Sequence, residues 1–287
     1  MPYRSVFRPD LFRDQLIIVT GAGSGIGRCI AHELAALGAT TALVGRTLSK
    51  LEATAAELTA EGARSSCHTC DIRDEEGVKA LVKAVLEQHG RIDGLVNNAG
   101  GQFPSPLEKI SFKGWEAVVR NNLTGGFLVS REVYLQYMQT HGGSIVNITA
   151  DFWKGMPNMG HSGAARAGME NLTITSAVEW ARSGVRVNGV APGWIASSGF
   201  DTYDPVTQAN MKRLKHHLPV KRFGTEAEIS AAVVFLLSEA AAFITGETIR
   251  VDGAASRASL HWEMPEHDRS KPYEGFHLAT LPKALRD

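Results

Sequence analysis

The sequence predicts an α/β chain: a doubly wound parallel sheet flanked by helices, forming a single domain. Three observations carry this. Short apolar runs alternate with helical segments along most of the chain, as in parallel strands joined by crossover helices. The first apolar run ends in a glycine-rich turn that opens a helix. The chain has 287 residues, 44% hydrophobic and 21% charged, which is enough apolar material for one large core.

The elements follow in order. Leu16 to Val19 is a fully apolar run, read as a buried strand, and a helix follows from about Gly25 to Leu37, ended by Gly38. Thr41 to Val44 is the second strand. Lys50 to Leu58 reads as helix, with Leu51, Ala55 and Leu58 on one face. A short strand near Ser66, a helix from Glu75 to Gln88 and a strand from Ile92 to Val96 come next. Trp115 to Tyr137 carries a long helical pattern, followed by a strand at Ser144 to Ile148 and a helix at Ala164 to Trp180. The series closes with a strand at Val185 to Val190, a helix at Glu226 to Leu237 and a strand at Thr248 to Val251. These elements divide the chain into an arm (1–14), the α/β domain (15–253) and a tail (254–287) rich in His, Pro and charge. The tail reads as a strap over the surface or across a subunit boundary, or as a substrate lid.

Charge and cysteine usage narrow the function. Lys+Arg and Asp+Glu both count 30, and a net charge of zero argues against nucleic acid, whose binding rests on a basic surplus. Neutrality also favours self-association over repulsion. Three cysteines, Cys29, Cys67 and Cys70, fit a reducing compartment without a disulfide framework. Cys67 and Cys70 have C-x-x-C spacing, but no second Cys/His pair stands nearby to complete four ligands. They read as two small buried residues at a strand end, and no metal is expected. The first 14 residues are mixed polar, and no stretch approaches the ~20 apolar residues of a membrane helix. A soluble, cytoplasmic chain with no membrane partner is expected.

The first strand runs into Gly21-Ala22-Gly23-Ser24-Gly25-Ile26-Gly27. Glycines permit positive φ and close backbone approach to a pyrophosphate, and the following helix N-terminus offers free N–H groups and positive dipole charge. Strand, glycine turn and helix together are the dinucleotide fingerprint, which makes the fold Rossmann-type and places Gly21, Ser24, Gly25, Ile26 and Gly27 at the cofactor. A chain selecting NAD usually carries Asp or Glu at the end of the second strand. Here Val44 is followed by Gly45-Arg46-Thr47, and the Arg46 guanidinium suits a ribose 2′-phosphate. NADP is expected, with NAD less favoured.

These motifs resemble the short-chain dehydrogenase/reductase family. Thr20 to Gly27 is similar to its T-G-x-x-x-G-x-G, Asn97-Asn98-Ala99-Gly100 to its N-N-A-G, and Ile244-Thr245-Gly246 with Val251-Asp252-Gly253 to its C-terminal signature. The resemblance spans roughly 15 to 253. It implies that Asp71 and Ile72 contact adenine, that Asn98, Ala99 and Gly100 line the ribose side, and that Asn122 is the active-site asparagine. It places Pro192, Gly193 and Ile195 beside the nicotinamide, and it implies a homodimer or homotetramer built on the long helices. Segments 98–103 and 161–168 resemble the branch of peroxisomal trans-2-enoyl-CoA and 2,4-dienoyl-CoA reductases. The tail segment Pro265 to Asp268 is similar to bacterial citronellol or citronellal dehydrogenases.

Most of that family uses Tyr-x-x-x-Lys on one helix face, the lysine lowering the phenol pKa so that it serves as acid or base. The only tyrosines here are Tyr3, Tyr134, Tyr137, Tyr203 and Tyr273, none in the required window. Matched to the motif, Ser162 takes the tyrosine place and Arg166 the lysine place, where its cation can clamp the nicotinamide ribose. A one-residue shift would put His161 and Ala165 there instead. The upstream serine place falls on Thr149 or Ala150. Asp151, where dienoyl-CoA reductases carry a tyrosine, and His161 are candidate proton donors.

Alcohol oxidation and ketone reduction need an acid or base at the oxygen, whereas a C=C bond conjugated to a thioester can take its α proton from water or His161. The expected activity is therefore NADP-dependent reduction of the 2,3 double bond of an enoyl thioester. The alternatives are a citronellol-type alcohol dehydrogenase acting on a terpenoid and a non-catalytic NADP-binding protein.

Overall fold

The computed structural model describes residues 2–203, 205–259 and 265–286. Seven strands form one parallel sheet in the order β3-β2-β1-β4-β5-β6-β7. They are β1 (Leu16–Thr20), β2 (Thr40–Gly45), β3 (Ser65–Thr69), β4 (Gly94–Asn97), β5 (Gly143–Ile148), β6 (Val185–Pro192) and β7 (Thr248–Val251). The first three strands wind outward from β1, and the chain then crosses to β4 on the other side. That reversal opens a crevice above the carboxyl ends of β1 and β4, where ligands bind in folds of this kind.

Alternation along β1 sorts its residues into two layers. Ile17 and Val19 face α1 (Gly25–Ala36) and α9 (Glu226–Leu237), packing with Ile30, Leu34 and Val233. Leu16 and Ile18 face the opposite layer, with Val82 of α3 (Glu75–His89) and Val129 of α5 (Gly125–Val133). The helix α2 (Leu48–Ala60) covers β2 and β3 through Leu51 and Leu58. Local signals set several boundaries. Gly90 ends α3 at φ 74, a left-handed position that needs glycine. The Ser111 hydroxyl accepts from Gly114 N at the start of α4 (Phe112–Val119), and Thr225 with Glu228 forms a capping box on α9.

Some expectations need correction. The long helical pattern runs from Phe112 to His141, and π segments at Arg120–Thr124 and Tyr134–Met138 separate α4, α5 and the short α6 (Gln139–His141). β4 starts at Gly94 rather than Ile92, which is buried in the lead-in. The helix expected from Ala164 begins at Gly160 (α7, Gly160–Trp180), and in its first turn His161 Nδ1 accepts the Ser162 backbone N–H. An unforeseen helix, α8 (Pro205–Leu214), follows the β6 end. Cys70 is buried but Cys67 only partly so; all three cysteines are free. Burial raises both thiols, Cys70 to about 11, which leaves them unreactive at neutral pH.

The tail residues 265–286 lie on the surface of the sheet domain. Phe276 is buried against Tyr3, Cys29 and Ala227, and Arg4 N–H donates to Gly275 O. Ala284 packs with Phe200 and Met211, the latter on α8.

Candidate active site

The crevice is shaped by glycines that tolerate no side chain. Gly21 and Gly25 hold φ of 70 and 57. A Cβ on Gly21 would meet the Asn98 amide at 2.8 Å, and one on Gly27 would meet Gly21 O at 2.3 Å and Asn98 Nδ2 at 2.4 Å. The β1 and β4 ends are tied together. The Thr20 hydroxyl accepts from Asn98 N and Ala99 N at 3.0 Å each, and Asn98 Nδ2 donates to Thr20 O at 2.9 Å. Ser24 precedes α1 in extended conformation, its hydroxyl caps nothing, and no acidic residue stands in the first turn. Ile26 packs against the core and fixes that turn. The positive end of α1 is thus presented to the crevice.

Arg46 is exposed just beyond β2, and its charge helps to lower Asp71. The Asp71 carboxylate is held mainly by Arg73, whose Nε and NH2 donate at 2.8 and 2.5 Å, and its pKa falls to about 2. Asp71 is therefore ionised and already paired, so Arg46 is the more available of the neighbouring charges. Ile72 is buried, filling the space that Gly125 leaves open.

At the other end of the crevice, the π segment Arg120–Thr124 carries Asn122. Such bulges often occur at functional sites. Asn122 is buried, with Nδ2 donating to Gly101 O at 2.7 Å and Oδ1 accepting from Gly101 N at 3.0 Å. Its amide fixes the loop after β4. Gly100 abuts Asn122 and Arg166 so closely that a Cβ would meet Arg166 NH2 at 2.5 Å. Arg166 donates from NH1 to Ile148 O at 2.5 Å, while its buried Nε has no partner. Burial lowers its pKa to about 10, so the guanidinium stays cationic at neutral pH.

Ser162 and His161 are both fully buried in the first turn of α7. The Ser162 hydroxyl donates to Gln102 Oε1 at 2.5 Å. Gln102 Nε2 in turn donates to the Tyr203 hydroxyl at 3.4 Å. Sequence reasoning missed this chain, because Gln102 and Tyr203 lie far from α7 along the chain and share no motif with it. His161 stacks edge-on against Phe103 with centroids 4.6 Å apart, and its Nε2 is buried without a partner. Thr149, expected among the polar groups of the site, instead turns its hydroxyl to Val190 O at 3.3 Å and is buried. That bond ties the end of β5 to β6.

Asp151 follows β5, and its N–H donates to Pro192 O at 3.2 Å. One carboxyl oxygen is buried without a partner. Burial and the neighbouring Asp252 raise its pKa, against the opposing charges of Arg250 and Lys154. Gly193 permits Asp252 to approach, since a Cβ there would meet Asp252 Cα at 2.7 Å. Ile195 is buried and bridges to Gly224, setting the course of the chain toward α8. Glu226, also missed from the sequence, lies 3.8 Å from where a Cβ on Gly25 would stand, and burial raises its pKa to about 7.

The residues therefore bring a glycine turn and a helix N-terminus to one end of the crevice, and the buried polar side chains of Asn122 and Ser162 with the buried Arg166 Nε to the other. The orphaned Arg166 Nε and the side-chain-free glycine turn are what a dinucleotide would fill. Comparisons with known proteins agree. A family model described as enoyl-(acyl carrier protein) reductase matches residues 21–255. The solved structure of a citronellol catabolism dehydrogenase (AtuB) from Pseudomonas aeruginosa PAO1 is 61% identical, with a TM-score of 0.81 covering 89% of this chain and all of that one. A peroxisomal 2,4-dienoyl-CoA reductase from Danio rerio is 38% identical over 257 residues, covering 88% of this chain and 85% of the relative. The structure of actinorhodin polyketide ketoreductase with NADPH is 31% identical, with a TM-score of 0.78 covering 85% of this chain and 98% of that one. Among the described residues, no helix is long and apolar enough to cross a membrane. Sheet order, crevice and relatives converge: this chain belongs to the short-chain dehydrogenase/reductase family of oxidoreductases.

Proposed function

We propose that this chain is an NADPH-dependent reductase of the 2,3 double bond of an enoyl thioester. The observation that carries the reading is the acid/base equipment of the pocket. Ser162 would take the place of the family tyrosine, and Asp151, just past β5, is a carboxyl with a buried, unpartnered oxygen and a raised pKa. Gly21, Ser24, Gly25, Ile26 and Gly27 would hold the pyrophosphate, and Arg46 the 2′-phosphate. Asp71 and Ile72 would flank adenine, Asn98 to Gly100 and the Arg166 Nε would hold the ribose side, and Pro192, Gly193 and Ile195 would lie beside the nicotinamide. When bound, NADPH supplies a hydride to the β carbon of the substrate.

The residues of the chain manage the proton and the charge. Arg166 and the Tyr203 hydroxyl, which accepts from Gln102 and keeps its own hydrogen free while Ser162 spends its hydrogen on Gln102, would supply donors where negative charge builds on the thioester oxygen. Burial and the neighbouring Asp252 raise the pKa of Asp151, and its protonated form would be the acid that releases a proton to the α carbon. His161, whose Nδ1 accepts from Ser162 N–H, carries its hydrogen on the unpartnered Nε2 and would offer a hydrogen bond there. This reading also includes a cytoplasmic homodimer or homotetramer, supported by exposed Phe127, Ile174 and Val178 on α5 and α7.

The test is NADPH oxidation with a panel of 2-enoyl- and 2,4-dienoyl-CoA esters. Turnover on them supports the proposal, and none on any ester refutes it. A second reading, alcohol dehydrogenase on a terpenoid, rests on the 61% identity to the citronellol catabolism dehydrogenase. NADP+ reduction by citronellol without ester turnover would establish it instead. Tight NADPH binding with no turnover in either assay would leave a non-catalytic binder.

A further inference from the structure

On the face of the molecule formed by α1 and α2, the tail brings a third element against two helices. His32 of α1 is fully buried. Its Nε2 donates to Glu57 Oε2 at 3.0 Å. A carboxylate only accepts, so Nε2 carries the hydrogen and, in the neutral ring, Nδ1 presents its lone pair. Nδ1 has no hydrogen-bond partner. It looks toward Glu61 at the end of α2, whose Oε2 is 3.7 Å away. The other Glu61 oxygen meets His277 Nε2 of the tail at 2.7 Å, and the side chains of Glu61 and His277 are each 19% exposed. The two imidazoles stand edge to face with centroids 5.9 Å apart.

We infer that His32 Nδ1, His277 Nε2 and the Glu61 carboxylate form a binding site for Zn2+ or a similar late first-row divalent ion, which ties the tail to the α1–α2 face. The three ligand atoms lie within 4.8 Å of one another. A tetrahedral ion with bonds of about 2.0–2.1 Å spaces its ligands roughly 3.3 Å apart, so side-chain rotations of about an ångström close the site. Two histidines and one carboxylate leave the fourth position for water, an arrangement suited to zinc. Glu57 performs the outer-shell task of fixing the His32 tautomer and ring plane. Glu57 is itself clamped by Arg28, at 2.7 and 2.8 Å, so the nearest cation is neutralised by its own partner. Without an ion the buried Nδ1 lone pair is left unsatisfied. The partly exposed His277 and Glu61 provide the entry path. The site lies on a different face from the dinucleotide crevice and does not rest on the function proposed above.

The test is calorimetric titration of the chelator-stripped full chain with Zn2+, together with Co2+ absorption spectroscopy. One saturable Zn2+ per chain and the intense visible band of four-coordinate Co2+ are expected. His277→Ala, a tail substitution that leaves the core untouched, is expected to weaken binding at least tenfold and abolish the band. Glu57→Gln is expected to weaken binding about 10–100-fold while keeping the band. His89→Ala, at a separate histidine pair around Ser66, serves as control and should change nothing. No saturable binding in the unsubstituted chain, or equal binding in His277→Ala, overturns the inference. Loss of binding in His89→Ala alone overturns it too.

Discussion

Replacing Gly27 by Ala tests the cradle most directly. The added methyl would stand 2.3 Å from Gly21 O and 2.4 Å from Asn98 Nδ2, where ordinary contacts are above 3.4 Å. Neither neighbour can give way freely. Gly21 is held at φ 70 and its N–H donates to Val44 O at 2.7 Å, while the Asn98 amide is bound to Thr20 O at 2.9 Å. The N-terminus of α1 must therefore move out by about an ångström, against its packing on α9. Overpacking of this kind costs about 1–3 kcal/mol. For a chain of this size that is a melting-temperature loss of roughly 2–10 °C. The displaced amides no longer converge on one phosphate position, and each ~1.4 kcal/mol of lost contact is tenfold in affinity. NADPH fluorescence titration and thermal melts of wild type and Gly27→Ala are the assay, with at least tenfold weaker NADPH binding expected. An unchanged melting temperature with an affinity within twofold of wild type would refute the packing argument.

Other outcomes follow from the same geometry. Arg46→Ala should weaken NADPH binding about 5–30-fold, ~1–2 kcal/mol for a charge-assisted contact at an exposed site, and leave NADH unchanged in parallel titrations. Asp151→Asn should lower ester turnover about 10²–10⁴-fold. Because Asp151 donates in its protonated form and its pKa is raised, wild-type turnover should decline as pH rises through that value, and the residual rate of the variant should be flat. Glu226, at about 7 in the fold, is protonated preferentially in the native state, so its stabilising contribution is full below the ordinary carboxylate value of 4.5 and lost as pH rises to 7. Melts at pH 5.5 and 8 should show a drop in wild type that Glu226→Gln reduces, and NADPH affinity should weaken over the same interval as the carboxylate charges beside Gly25.

The sequence by itself determined the sheet and the family. Strand runs such as Leu16 to Val19 and the glycine turn after them are local: periodicity and backbone freedom are written in consecutive residues, and the motifs keep their order along the chain. The positions of Arg46 just past β2 and of Arg166 on α7 were also legible, because each is fixed by its distance from a strand or helix already assigned. What lies between distant segments was decided only by tertiary structure. Ser162 finds Gln102 and Tyr203 because α7, the loop after β4 and the segment before α8 converge above the sheet. Thr149 turns to Val190 because β5 and β6 are neighbours there. Glu226 is raised, and His32 left with a bare nitrogen, because packing removes water from them. Desolvation and hydrogen bonding depend on the enclosing atoms in three dimensions, and residues 32, 61 and 277 share no spacing from which a sequence could announce their meeting.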